Sequence, residues 1–121
     1  MFKVTIEDSF AAAHLLENYK GKCENLHGHN WKIRVTVETD KLDDIGLAID
    51  FHDLQKITRT TLDLLDHKNL SELEFFSTIN PSSENIARFI FNNIKKNIPD
   101  QVRLTEVEVL ESDNCSIKYS E

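Results

Sequence analysis

Two histidines separated by one glycine, His27 and His29, are the residues of this chain whose spacing most directly indicates chemistry. They share the parity of Trp31 in an alternating segment, so an extended backbone directs both imidazoles to one face of a sheet. His14 has the parity of the apolar residues of the first predicted strand. Three imidazoles from neighbouring strands would form a zinc site with an open fourth position, which is typical of catalysis. The alternative is hydrogen-bonded histidines without a metal, and we assign His52 to that ordinary class.

Cys23 precedes His27 by four residues, and three interpretations of it remain open. It is a fourth metal ligand, a buried free cysteine, or a general base or nucleophile. The third interpretation is supported by Lys20 and Lys22, because nearby cations favour the thiolate. Cys115 has no such neighbours, and we expect it to contribute packing alone.

Three further ionisable residues are candidates for the same site. Asp66 and His67 end the first predicted helix, where they form either an acid/base pair or a histidine stabilised by the helix dipole. Glu111 has the parity of Val107 and Val109, which places a carboxylate among apolar side chains. A buried carboxylate needs a cationic or N–H-rich partner, whereas a frayed strand end leaves it in solvent.

Hydrophobic periodicity predicts the elements that position these residues. Alternation predicts strands around Phe2–Ile6 and Trp31–Val37, and two closing strands around Val102–Glu111 and Cys115–Tyr119. Two helices lie between the strand pairs. The first is capped by Asp50 and has an apolar face of Phe51, Leu54, Ile57, Thr61, Leu64 and Leu65. The second follows Pro81, is capped by Ser82 or Ser83, and has an apolar face of Ile86, Ala87, Ile90, Ile94 and Ile98.

The resulting order, ββααββ, predicts an α+β fold in one domain spanning residues 1–121. A four-stranded antiparallel sheet would carry two helices on one face. Such a sheet has two open edges, and edge-to-edge assembly of several chains into a closed barrel would protect them.

The composition limits the classes of partner. The chain has 21 acidic and 14 basic residues and a net charge of −7, which argues against general binding to nucleic acid or to anionic membranes. No apolar run approaches the ~20 residues that span a bilayer, and the N-terminus does not resemble a signal peptide. We therefore expect a cytoplasmic protein.

Together, the motifs resemble those of the 6-pyruvoyltetrahydropterin synthase and 6-carboxytetrahydropterin synthase family. The resemblance covers nearly the whole chain, and its motifs occur in the family's order. These are the segments Phe10–His14, Cys23–Asn30, Asp50–Phe51, Leu65–His67 and Asn80–Glu84, and the late Glu111.

The resemblance implies the tunnelling fold, in which trimers close a barrel and two trimers stack into a homohexamer. It implies zinc on His14, His27 and His29, and Cys23 as catalytic base. It also implies that a neighbouring subunit contributes Asp66 and His67 as the proton relay. Finally, the resemblance implies that Glu111 binds the substrate and that Ser83 and Glu84 assist it.

Three residues separate Cys23 from His27, as in the 6-carboxytetrahydropterin synthases of queuosine biosynthesis. The resemblance thus implies a zinc-dependent lyase. It would convert 7,8-dihydroneopterin triphosphate to 6-carboxy-5,6,7,8-tetrahydropterin, with release of acetaldehyde and triphosphate. Two alternatives remain: 6-pyruvoyltetrahydropterin synthesis, and a non-catalytic zinc- or pterin-binding protein on the same scaffold.

Overall fold

The structure, a computed structural model, describes residues 1–21 and 24–121. Five strands and two helices make up the fold. In chain order they are β1 (Phe2–His14), β2 (His27–Thr39), α1 (Phe51–Leu62), β3 (Lys68–Asn69), α2 (Ser83–Lys95), β4 (Arg103–Ser112) and β5 (Cys115–Tyr119). Two short 3₁₀ turns, Leu70–Glu72 and Glu74–Phe76, connect β3 to the segment before α2.

The strands form one sheet in the order β3-β1-β2-β4-β5. The predicted α+β class is confirmed, but the sheet has five strands rather than four and is not wholly antiparallel. The extra strand, β3, runs parallel to β1, with Lys68 opposite Ala12 and Asn69 opposite Ala13. Two residues are too short to show an alternating pattern, so the sequence carries no periodic signal for this strand.

Alternation along β2 divides the sheet into an apolar and a polar face. Trp31, Ile33, Val35 and Val37 are fully buried, whereas the residues between them are partly exposed. The helices cover the apolar face: Leu54 of α1 and Ile90 of α2 are likewise fully buried. This packing orients the odd-numbered side chains of β2 toward the helix layer along the whole strand.

Side-chain caps fix where the two helices begin. The Asp50 carboxylate accepts a hydrogen bond from the His52 amide at 2.8 Å, and the Ser82 hydroxyl accepts one from the Asn85 amide at 3.2 Å. Both predicted N-termini are confirmed, with Ser82 rather than Ser83 as the cap.

Three expectations, about the end of α1, its apolar face and Cys115, are wrong. Helix α1 ends at Leu62, so Asp66 and His67 lie in the turn that follows it and do not end the helix. Phe51 and Leu64 are largely exposed, because only part of the expected apolar face meets the sheet. Cys115 is exposed at the start of β5 rather than packed in the core.

No helix within residues 1–21 and 24–121 is long and apolar enough to cross a membrane.

Candidate metal and catalytic site

Strand pairing brings the three predicted histidines together at one end of the sheet. His14 and His27 are the final residue pair of the β1–β2 ladder, and His29 lies opposite Ala12. The imidazole centroids of His14 and His27 are 4.6 Å apart, and those of His27 and His29 are 4.8 Å apart. Trp31 lies directly beneath, with its ring centroid 4.9 Å from that of His14. The parity argument therefore predicted the convergence correctly.

Glu111 joins this histidine cluster from β4. Its Oε1 lies 3.1 Å from Nε2 of His29, and the hydroxyl of Ser83 donates a hydrogen bond to its Oε2 at 3.0 Å. One potential ligand atom from each of His14, His27, His29 and Glu111 lies within 4.8 Å of the others. These four side chains are thus arranged as a candidate metal site.

Backbone carbonyls orient two of the imidazoles. Nδ1 of His14 lies 2.6 Å from the Pro81 carbonyl oxygen, and Nδ1 of His27 lies 2.8 Å from that of Asn25. A carbonyl oxygen only accepts hydrogen bonds, so in the neutral rings both Nδ1 atoms carry the proton. Both Nε2 atoms then present lone pairs, and these atoms are 3.1 Å apart. Two facing lone pairs repel each other unless a cation or a proton lies between them.

The environment of His14 favours its neutral form. Burial lowers the pKa of His14 below its usual value, and the charges of His27 and His29 act in the same direction. The Pro81 carbonyl and Glu111 oppose this shift without cancelling it. A neutral imidazole is the form that binds a metal.

These groups pass a simple test of fit to a metal. Nε2 of His29 is buried and has no hydrogen-bond partner among the described residues, although Glu111 is close to it. A buried polar atom without a partner costs about 1–3 kcal/mol, and a metal ion would remove that cost. Imidazole nitrogens and a carboxylate oxygen are ligands that suit zinc. The carbonyls behind His14 and His27 are the outer partners that metal-binding histidines usually have.

Asn80 and Pro81 belong to the motif Asn80–Glu84, but no role for these two residues was predicted from the sequence. Asn80 Oδ1 accepts a hydrogen bond from the Glu17 amide, and Asn80 Nδ2 donates to the Glu17 carbonyl, both at 2.9 Å. This two-way contact fixes the backbone before α2 against the segment that follows β1. The Pro81 carbonyl is thereby held beside His14. An Asn-Pro pair directly before a helix cap was the available signal.

Asp66 and His67 contact Ala11 of β1, three residues before His14, directly before β3 pairs with this strand. The Asp66 carboxylate accepts a hydrogen bond from the Ala11 amide at 2.9 Å, and the His67 amide donates to the Ala11 carbonyl at 2.6 Å. His67 has a φ of 57°, a conformation that non-glycine residues rarely adopt, and its imidazole is largely exposed. This backbone places its Nε2 3.6 Å from Asp66 Oδ1.

Within residues 1–21 and 24–121, no hydrogen bond or ion pair connects Asp66 or His67 to the histidine cluster. Glu84 is exposed on the first turn of α2. Cys23 lies outside the described residues, so the structure does not test its predicted role.

Comparison with known proteins supplies the family. A model of the 6-pyruvoyl tetrahydropterin synthase family matches residues 3–121. The chain belongs to this family. It is 32% identical over 143 residues to the 6-carboxy-5,6,7,8-tetrahydropterin synthase of Haemophilus influenzae, with 100% of both chains covered. It is 37% identical to the 6-pyruvoyl tetrahydrobiopterin synthase of Homo sapiens, covering 92% of this chain and 86% of that one.

A solved structure agrees with this assignment. The 6-pyruvoyl tetrahydropterin synthase of Caenorhabditis elegans superposes with a TM-score of 0.83 at 34% identity, covering 100% of this chain and 97% of that chain. The chain therefore belongs to a family of enzymes and has the fold of the pterin synthases.

The geometry of the histidine cluster predicts one divalent metal ion per chain. We expect His27→Ala or His29→Ala to remove most of the bound metal, because each substitution deletes one of three converging nitrogens. Elemental analysis of the purified, folded variants measures this loss. His52→Ala is the matched control, since His52 is an exposed histidine on α1. Full metal occupancy after His14, His27 and His29 are all replaced by alanine would show that the ion binds elsewhere.

Proposed function

We propose that this chain is a zinc-dependent carbon–carbon lyase that forms 6-carboxy-5,6,7,8-tetrahydropterin from 7,8-dihydroneopterin triphosphate. One water is consumed, and acetaldehyde and triphosphate are the other products. The observation that carries the proposal is the meeting of three imidazoles, in which the Nε2 atoms of His14 and His27 lie 3.1 Å apart while both Nδ1 atoms face backbone carbonyl oxygens. The full-length similarity to the H. influenzae relative supports the carboxy product, as does the three-residue spacing between Cys23 and His27.

His14, His27 and His29 would hold the zinc ion. When bound, zinc supplies Lewis-acid chemistry: it polarises substrate oxygens and stabilises negative charge. Three protein nitrogens leave a coordination position open, which suits a catalytic rather than a structural role. The Pro81 and Asn25 carbonyls hold the Nδ1 sides of His14 and His27, which would leave their Nε2 atoms available to the ion.

Proton transfer is assigned to three side chains. Cys23, as a thiolate, removes a proton from the substrate's side chain. Asp66 and His67 act as an acid/base pair, in which the Asp66 carboxylate stabilises the charged imidazole of His67. The left-handed backbone of His67 is consistent with this role, because strained residues cluster at functional sites.

Glu111 is assigned to the pterin ring. A pterin presents its 2-amino group and its N3–H as two parallel donors, which match the two acceptor oxygens of a carboxylate. Ser83 already donates to one of these oxygens and orients the group. Glu84, exposed on the same turn of α2, is assigned as an assisting residue.

We further propose that the working form is a homohexamer built from two trimers. The sheet has β3 and β5 at its edges, and joining these edges between subunits would close a barrel. In that assembly the exposed His67 of one subunit would serve the metal site of a neighbour. We also assign the product to queuosine biosynthesis.

Product analysis tests the proposed reaction. The zinc-loaded protein is incubated with 7,8-dihydroneopterin triphosphate, and the products are identified by mass spectrometry. We expect one acetaldehyde for each 6-carboxytetrahydropterin and each triphosphate released. Triphosphate without acetaldehyde, together with 6-pyruvoyltetrahydropterin, would instead establish the reaction named for the human relative. Pterin binding without any turnover would indicate a non-catalytic binding protein.

Cys23→Ala separates the catalytic role of the thiol from metal binding. We expect the metal to remain at one per chain and turnover to fall at least about 100-fold, the lower range for loss of a general base. Turnover is measured with a stopped assay, and metal content is measured by elemental analysis of the same sample. Cys115→Ala is the control, because Cys115 is exposed at the start of β5. Loss of metal in proportion to activity would make Cys23 a ligand and refute its role as base.

Glu111→Gln tests the pterin contact against a role as metal ligand. The substitution keeps the shape of the side chain but turns one acceptor oxygen into a donor, which would face the donors of the pterin. We expect strongly weakened pterin binding with unchanged metal content and an unchanged thermal melting temperature. Unchanged pterin affinity in the folded, metal-loaded variant would refute the anchor role, and loss of metal would make Glu111 a ligand.

A further inference from the structure

One guanidinium joins the first strand, the first helix and the turn that carries Asp66. Arg59, on the last turn of α1, donates from Nε to Asp63 at 2.9 Å and from Nη2 to Asp66 Oδ2 at 3.2 Å. Its Nη1 donates to Asp8 at 3.1 Å and to the Ser9 carbonyl at 2.9 Å. Four acceptors on three segments of the chain therefore share one side chain.

Only arginine has the donors for this arrangement. Its planar fork carries five N–H groups with fixed directions, whereas a lysine ammonium presents three donors at a single point. Without Arg59, the carboxylates of Asp8, Asp63 and Asp66 would lose the cation they share, and like charges would repel one another. The Arg59 side chain as a whole is about one-third exposed, so it is partly shielded from solvent.

The contact to Asp66 completes the orientation of that carboxylate. Oδ1 of Asp66 accepts the Ala11 amide and lies 3.6 Å from Nε2 of His67, while Oδ2 is held by Arg59. Each oxygen thus has its own partner on a different element, and rotation of the carboxylate would break one of these contacts. A carboxylate held on both sides presents Oδ1 to His67 in one orientation.

We propose that Arg59 is a positioning residue that orients Asp66 toward His67 for proton transfer. This inference rests on the proposed function, in which Asp66 and His67 form the relay. Among the described residues, Arg59 makes no hydrogen bond with the histidine cluster or with the ring of His67, so its effect on the relay would pass through Asp66.

A double-substitution cycle on the full-length, zinc-loaded protein tests the proposal. We expect Arg59→Gln to lower kcat up to about 100-fold, the scale of a catalytic group misplaced by about 1 Å, with KM within about twofold and metal content unchanged. We expect Arg59→Lys to retain only part of kcat, because it restores the charge without the fork. In an Asp66→Asn background, Arg59→Gln should produce no further loss, since residues that act through one another are not additive.

Asp63→Asn is the matched control. It removes another partner of the same guanidinium, is largely exposed and leaves the Asp66 contact in place, so kcat should stay within about twofold of wild type. If Arg59→Gln does not fold, Arg59→Lys replaces it in the same double-substitution cycle with Asp66→Asn. Wild-type kcat in a folded Arg59 variant would overturn the proposal. An equal fractional loss with and without Asp66 would also overturn it, because Arg59 would then act independently.

A second readout does not depend on turnover. The Ala11 amide donates to Asp66, and this amide should exchange with deuterium faster in Arg59→Gln than in Asp63→Asn. Absence of turnover in the wild-type protein would refute the proposed function, and amide exchange would still decide whether Arg59 holds Asp66. Equal exchange rates of the Ala11 amide in the two variants would overturn the inference about Arg59 and would leave the proposed function untouched.

Discussion

The candidate site depends on the register of β1 against β2. Their antiparallel ladder runs from Phe2 opposite Thr39 to His14 opposite His27 without a register shift. Side chains alternate between the faces of a sheet, so a slip of one residue would turn one strand's imidazoles away from those of the other. The buried alternating residues of β2 oppose such a slip, because it would expose Trp31 and the apolar residues after it. The same register therefore both buries the core and brings the histidines together.

Polar contacts then refine what the register provides. Asn80 fixes the segment before α2 to Glu17, and the Pro81 carbonyl orients His14. At the other edge of β1, Ala11 uses its amide and its carbonyl to hold Asp66 and His67. A single strand thus positions both the candidate metal site and the candidate proton relay. The two groups contact β1 a few residues apart, and no hydrogen bond or ion pair joins them among the described residues.

The sequence alone predicted the parts of the site that follow strand periodicity. His14, His27 and His29 were expected to converge by parity, and the structure brings them together. Glu111 joins them, although its parity with Val107 and Val109 had left both a buried and a solvent-exposed position open. Features without a periodic signal were missed: the two-residue β3, the left-handed backbone of His67, and the end of α1 at Leu62. The first two depend on contacts of the turn after α1 with β1, which is distant in the chain, such as that of Ala11 with His67. The end of α1 is marked by local turn hydrogen bonds that have no apolar pattern. The roles of Cys23 and of neighbouring subunits stay predictions from the resemblance.

The most direct measurement of the central claim is X-ray absorption at the zinc edge of the metal-loaded protein. If His14, His27 and His29 hold the ion and Cys23 remains free as a base, the first shell contains imidazole nitrogens at about 2.0–2.1 Å and no sulfur. The outer-shell scattering of three imidazole rings should be present and should fall in His27→Ala. A sulfur at about 2.3 Å would contradict the account, because Cys23 would then be a ligand. Absence of imidazole scattering would contradict the assignment of the three histidines as zinc ligands.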